Sequence, residues 1–203
     1  MTRMLHARES IAAFAVAALV VTCVVLASGG TPLPACGWAA AFLLLAIPQD
    51  ITRMRIPNWL TLPSLIGALV LGGASGGSAG LLQALAGAGI ALAIMFVPFA
   101  FHWLGAGDVK AGMVLGALWG PELFPPAFWW MVVAGGLLAV VLVTARGELS
   151  DMLRRWGHSA WTTFMTRRVT YFGPAEGATT GLPFAVAMGL GAAAYQFWGM
   201  PWS

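Results

Sequence analysis

Seven apolar runs, at roughly 11–28, 35–49, 58–73, 81–104, 107–120, 125–145 and 181–199, occupy most of this 203-residue chain. Most approach the roughly 20 residues that a helix needs to cross the hydrocarbon core of a bilayer. With 60% hydrophobic residues, 8% charged residues and a mean hydropathy of +0.85, there is too little polar surface to cover a soluble domain of this size. Lipid offers the backbone no hydrogen bonds, so each run must satisfy its own amides. The expected fold is all-α: a polytopic transmembrane bundle of about seven helices.

The segments between the runs divide into two kinds. Gly29 to Pro34, Leu71 to Gly80 and Gly120 to Pro126 are rich in Gly, Ser or Pro and contain no Lys or Arg. All ten basic residues fall elsewhere: Arg3 and Arg8; Arg53 and Arg55; Lys110; and Arg146, Arg154, Arg155, Arg167 and Arg168. Alternating the loops across seven spans puts every basic residue on one side. Cytoplasmic loops carry the excess of Lys and Arg, which predicts a cytoplasmic N-terminus and an outer C-terminus. The opening MTRMLHARES and the apolar run after it are similar to a signal peptide, but the run is nearly of spanning length and reads as an uncleaved first helix.

One membrane-embedded domain, 1–203, is expected. Within it, 1–30 carries the N-terminal helix, 36–120 the core with the two aspartates discussed below, 146–180 a cytoplasmic segment and 181–199 the last helix. The arginines and aromatics of 146–180 fit a connector along the interface with snorkelling side chains. The net charge of +3 follows from the one-sided basic loops and does not call for nucleic acid. Cys23 and Cys36 are too few and too far apart for a zinc site, and no metal, cofactor or structural disulfide is expected.

Ionisable groups at membrane depth are costly and are functional candidates by default. Of seven acidic residues, Glu9, Glu122, Glu148, Asp151 and Glu176 belong to termini or loops, whereas Asp50 and Asp108 lie at the ends of apolar runs on the same predicted face. Two carboxyls that meet cannot both ionise easily, and a pair holding one proton between them can activate water. From position alone, helix capping or pairing with Arg53, Arg55 or Lys110 accounts for them slightly better. Gly105 and Gly107 precede Asp108, where a Cβ would obstruct an approaching backbone or partner helix. Pro57 fixes the entry to the helix after the basic turn.

Three stretches together resemble the type IV prepilin peptidases: Asp50 to Thr61, with its arginines and Ile56-Pro57-Asn58; the GxGDxK element from Gly105 to Lys110; and the Leu-Pro-Phe segment in Gly181 to Gly189. The likeness in layout spans about residues 36–199. It implies an intramembrane aspartyl peptidase of the GxGD kind in the bacterial inner membrane, cleaving the short basic leader of a prepilin at the cytoplasmic face. The implied catalytic acids are Asp50 and Asp108; Gly105, Gly107, Lys110, Pro57 and Asn58 match positions that shape the site or contact substrate. The implied partners are prepilin-like substrates and the lipid bilayer. The short layout is similar to peptidases of tight-adherence (Flp) pili. The paired-Cys domain that larger members associate with N-methylation has no counterpart in these residues, which implies cleavage without methylation. Ala111 departs from the Leu expected after the Lys.

A preflagellin peptidase is a close alternative. A proton-coupled transporter subunit relaying through Asp50 and Asp108 is a more distant one, and the duplicated halves common in transporters are not visible. His102 beside Trp103 reads as interfacial. Thr61 and Ser64 lack an accompanying base for nucleophilic work, and hydroxyls in such helices are expected to bond backbone carbonyls.

Overall fold

A computed structural model of the chain describes residues 16, 17, 19, 20, 33–101, 103–145, 147, 154, 161, 162, 165 and 182–198. Regular structure among the described residues is helical throughout. Four helices follow one another: α1 (Leu33–Arg53), α2 (Asn58–Ala100), α3 (Ala106–Ala145) and α4 (Phe184–Trp198). The first three are long and apolar enough to cross a membrane, and α4 is a shorter apolar helix.

The expected count of seven separate helices is therefore not supported: the described residues give these four elements, and the lower number has a local cause. The Gly/Ser stretch Leu71 to Gly80 and the Pro-rich stretch Gly120 to Pro126 are not open linkers; helix runs through both, interrupted at one glycine each, Gly77 (φ 59°, ψ −144°) and Gly120 (φ 78°, ψ 178°). A one-residue break leaves few backbone groups without a helical partner. Both glycines hold a positive φ that side-chain-bearing residues rarely adopt. Pro121 follows Gly120 directly, at the first position of the resumed helix, where a missing N–H costs nothing.

These breaks turn the chain back on itself. A Cβ on Gly72 would meet the carbonyl oxygen of Gly80 at 2.9 Å and the Cβ of Ala84 at 3.0 Å. In a continuous helix, residues eight apart lie about 12 Å apart along the axis. The arms of α2 therefore pack together around Gly77, with Ala68, Ala84, Ala88 and Ala117 forming a buried cluster between α2 and α3. The first arm of α2 buries Leu60, Thr61, Ser64 and Ala68 while exposing Leu62, Ile66 and Val70. Both faces are largely apolar, as a helix between protein core and lipid requires.

The chain forms two compact units, Met1–Gly135 with Pro183–Ser203, and Gly136–Leu182. In the first, α1 packs against α2 and α4. In the second, Thr144 Oγ1 donates to the carbonyl of Val140 at 2.7 Å near the end of α3, and Gly147 donates its amide to Thr144 at 3.0 Å. Of the first expected helix, only residues 16, 17, 19 and 20 are described, as helical. The rest of that helix, nearly all of 146–180, Cys23 and His102 lie outside the described residues. The orientation of the N-terminus is not supported by the fold.

Candidate active site

At the end of α1 the chain turns through Met54, which adopts φ 49° and donates its amide to the carbonyl of Asp50 at 2.8 Å. This is a left-handed helix stop of the kind glycine usually provides. A non-glycine residue there carries strain of about 1 kcal/mol or more. The turn runs through Arg55 and Ile56 to Pro57, whose extended backbone (φ −75°, ψ 148°) begins α2 and whose carbonyl accepts the amides of Leu60 and Thr61.

Asp50, only 4% exposed, lies one turn before this stop. Its Oδ2 accepts the backbone N–H of Ala185 at 2.8 Å, across 135 positions of sequence. Ala185 is the second residue of α4, so a side chain of α1 satisfies one of the free amides at the start of α4. Asp108 sits at the third position of α3, and its Oδ2 reaches back to the N–H of Gly105 at 3.0 Å. That is the acidic half of a capping box. Each carboxyl thus has one oxygen anchored by the amide of a helix N-terminus.

The two anchors deliver the carboxyls to one place. Gln49, Asp50, Arg53, Met54, Arg55, Ile56, Pro57, Asn58, Gly105, Ala106, Gly107, Asp108 and Lys110 line a cavity of about 600 Å³. The glycines permit the closeness: a Cβ on Gly107 would lie 3.3 Å from the backbone N and O of Ile56, and one on Gly105 would lie 3.3 Å from Asp108 Oδ2. Lys110 Nζ donates to Asn58 Oδ1 at 2.8 Å, tying the start of α3 to the start of α2. All seven residues singled out from the sequence line this one cavity.

Capping, set against the dyad as an alternative, turns out to be compatible with it, because the capping bonds take one oxygen of each carboxyl. No ion pair joins either aspartate to Arg53, Arg55 or Lys110 among the described residues, and Lys110 turns to Asn58 instead. Sequence reasoning missed the amide of Ala185 and the left-handed Met54. The Leu-Pro-Phe segment was a signal for the first, since Pro183 immediately precedes a helix start; the second had none. Thr61 also departs from expectation: it is 2% exposed, and its hydroxyl bonds no carbonyl among the described residues. Among the described residues there is no cluster of His, Cys, Asp and Glu suited to a metal ion.

No curated protein and no solved structure compared with this chain matches it. The family model described as the type IV leader peptidase family matches residues 38–140, about half of the chain and the part that carries both aspartates. The chain is a member of the type IV leader peptidase family.

Proposed function

We propose that this protein is an aspartic endopeptidase that removes the short basic leader from Flp-like type IV prepilins at the cytoplasmic face of the bacterial inner membrane. The observation that carries the reading is the convergence of Asp50 and Asp108, from separate helices, on one cavity. One ionised carboxyl takes a proton from water, the water oxygen attacks the scissile carbonyl, and the protonated partner donates to the developing oxyanion. Collapse of the tetrahedral intermediate returns a proton to the leaving amine. The amide bonds from Gly105 and Ala185 hold the carboxyls in place at no reorganisation cost. The apolar helix of the substrate stays in the bilayer and presents the leader junction at the cavity mouth, beside Arg53 and Arg55.

The topology belongs to the same proposal, with the N-terminus and the cavity cytoplasmic and the Gly77 and Gly120 turns outside. Co-expression with a pilin-like protein bearing a basic leader and a following apolar helix tests the function. A shortened substrate whose new terminus follows the leader is expected, and an uncleaved substrate at matched protein level would refute it.

A further inference from the structure

We propose that the Met54 side chain is a substrate contact of the cleavage site, receiving the apolar residue that follows the scissile bond. This deepens the peptidase reading and rests on it. Met54 holds a left-handed backbone (φ 49°) at the stop of α1, and among the described residues no other non-glycine position has a positive φ. Helix stops of this kind usually fall to glycine and sometimes to asparagine, for which the left-handed region costs little. The remaining positive φ values among the described residues, at Gly77, Gly120 and Gly147, all fall to glycine. Strain of this sort persists only where the surroundings fix it, and it gathers at active sites and ligand clamps. Glycine at 54 would keep the turn and lose only the side chain, so a use for the side chain itself is what the strain points to.

The cavity supplies that use. Met54 lines the same cavity as Asp50 and Asp108, and its amide donates to the carbonyl of Asp50 at 2.8 Å, which ties it to the turn that carries the carboxyl. Of the other apolar side chains along the lining, Ile56 is buried, Pro57 is half-buried and Ala106 is a single methyl. Among the lining residues Met54 alone is both large and apolar and exposed, at 44%. Packing in the core therefore does not account for it. Its neighbours Arg53 and Arg55 are exposed and line the cavity as well. Like charges repel, so a basic leader is disfavoured beside them, and the apolar segment after the cut is the part that lies over Met54. An unbranched, polarisable thioether moulds itself to apolar partners of differing shape, so the contact accepts more than one residue type.

The test uses the full-length protein in lipid vesicles with a pilin-like substrate that carries a basic leader and an apolar helix. Met54→Gly is expected to raise KM about fivefold, the worth of half-burying such a side chain, with kcat within about twofold. Its Tm is expected at or above the wild-type value, since released strain offsets the added freedom of the unfolded chain. Met54→Leu, apolar and of similar size, is expected to recover most of the KM loss. Alanine in place of the substrate residue after the scissile bond is expected to raise KM for the wild type but hardly further for Met54→Gly, because the two partners share one contact. An unchanged KM or a lowered Tm in Met54→Gly, or equal effects of the substrate alanine on both proteins, would overturn the assignment while leaving the peptidase reading intact. Trapping gives a readout without turnover. In an Asp108→Asn chain with Cys23 and Cys36 replaced, Met54→Cys is expected to form a disulfide, on mild oxidation, with a substrate cysteine placed just after the scissile bond. No disulfide there would overturn the proposal even if the wild type cleaved nothing.

Discussion

Asparagine at position 50 retains an oxygen for the N–H of Ala185 but cannot exchange a proton. Asp50→Asn and Asp108→Asn are therefore each expected to abolish leader cleavage while leaving expression and insertion intact, as followed by gel in membranes at matched protein level. Neither loss should add to the other, since the two groups act as a unit. Glu122→Gln, an exposed position beyond the Gly120 break, should change nothing. Alanine separates chemistry from architecture: Asp50→Ala strands the Ala185 amide and is expected to cost about 1–2 kcal/mol of stability in addition to activity, visible as a lower Tm than that of Asp50→Asn. Gly107→Val tests the close approach to Ile56, and cleavage is expected to fall because the backbone there has little room to yield. At this scale the sequence was largely readable. Acids at membrane depth, glycines beside one of them and a proline before a helix all have local causes that leave local traces. The amide of Ala185 leaves only an indirect trace, the helix start after Pro183, because a backbone group that any residue would supply carries no signature in the residue type.

Among the elements, the glycine breaks matter most. Gly77 and Gly120 hold φ values of 59° and 78°. Gly77→Ala and Gly120→Ala are each expected to destabilise the fold by about 1–3 kcal/mol, because a positive φ with an extended ψ is a conformation essentially confined to glycine, although a Cβ at either site meets no atom within 4 Å. Thermal unfolding in detergent measures this, and Gly89→Ala, at another position where a Cβ meets nothing, is the matched control. The apolar runs located the helices well: 35–49, 58–73, 107–120 and 125–145 are helical throughout, 81–104 is helical as far as Ala100, and 181–199 is helical from Phe184 to Trp198. What hydropathy could not convey is how two runs are joined. Gly, Ser and Pro read as an open loop, but here the same residues turn a helix in one step and then continue it. Depth places the α3 turn: Gly135 packs against Phe184 and Ala187 of α4, next to the Ala185 that binds Asp50, and Asp108 shares the cavity of Asp50. Residues 108 and 135 would be about 40 Å apart in an unbroken helix.

At the scale of the whole molecule, the residues beside the Gly77 and Gly120 breaks and the pair Asp50 and Asp108 all belong to the first unit, where they line different cavities. Pro34, Gly72, Ser75, Gly80, Trp119 and Gly120 line a second cavity of about 210 Å³, away from the aspartates. Under the proposed topology, a single cysteine at Ser75 in a cysteine-free background is expected to react with a membrane-impermeant maleimide from outside intact cells. One at Arg55 should react only after the inner membrane is opened, and the reverse pattern would invert the assignment. The bond from Asp50 to Ala185 has a consequence in time as well as in space. Ribosomes deliver the acids of α1 and α3 to the membrane well before α4, so a nascent chain carries both carboxyls while one still lacks its anchor. Under the proposed mechanism, proteolytic competence is therefore expected to arrive only with α4, which would spare an unfinished chain from cutting its neighbours.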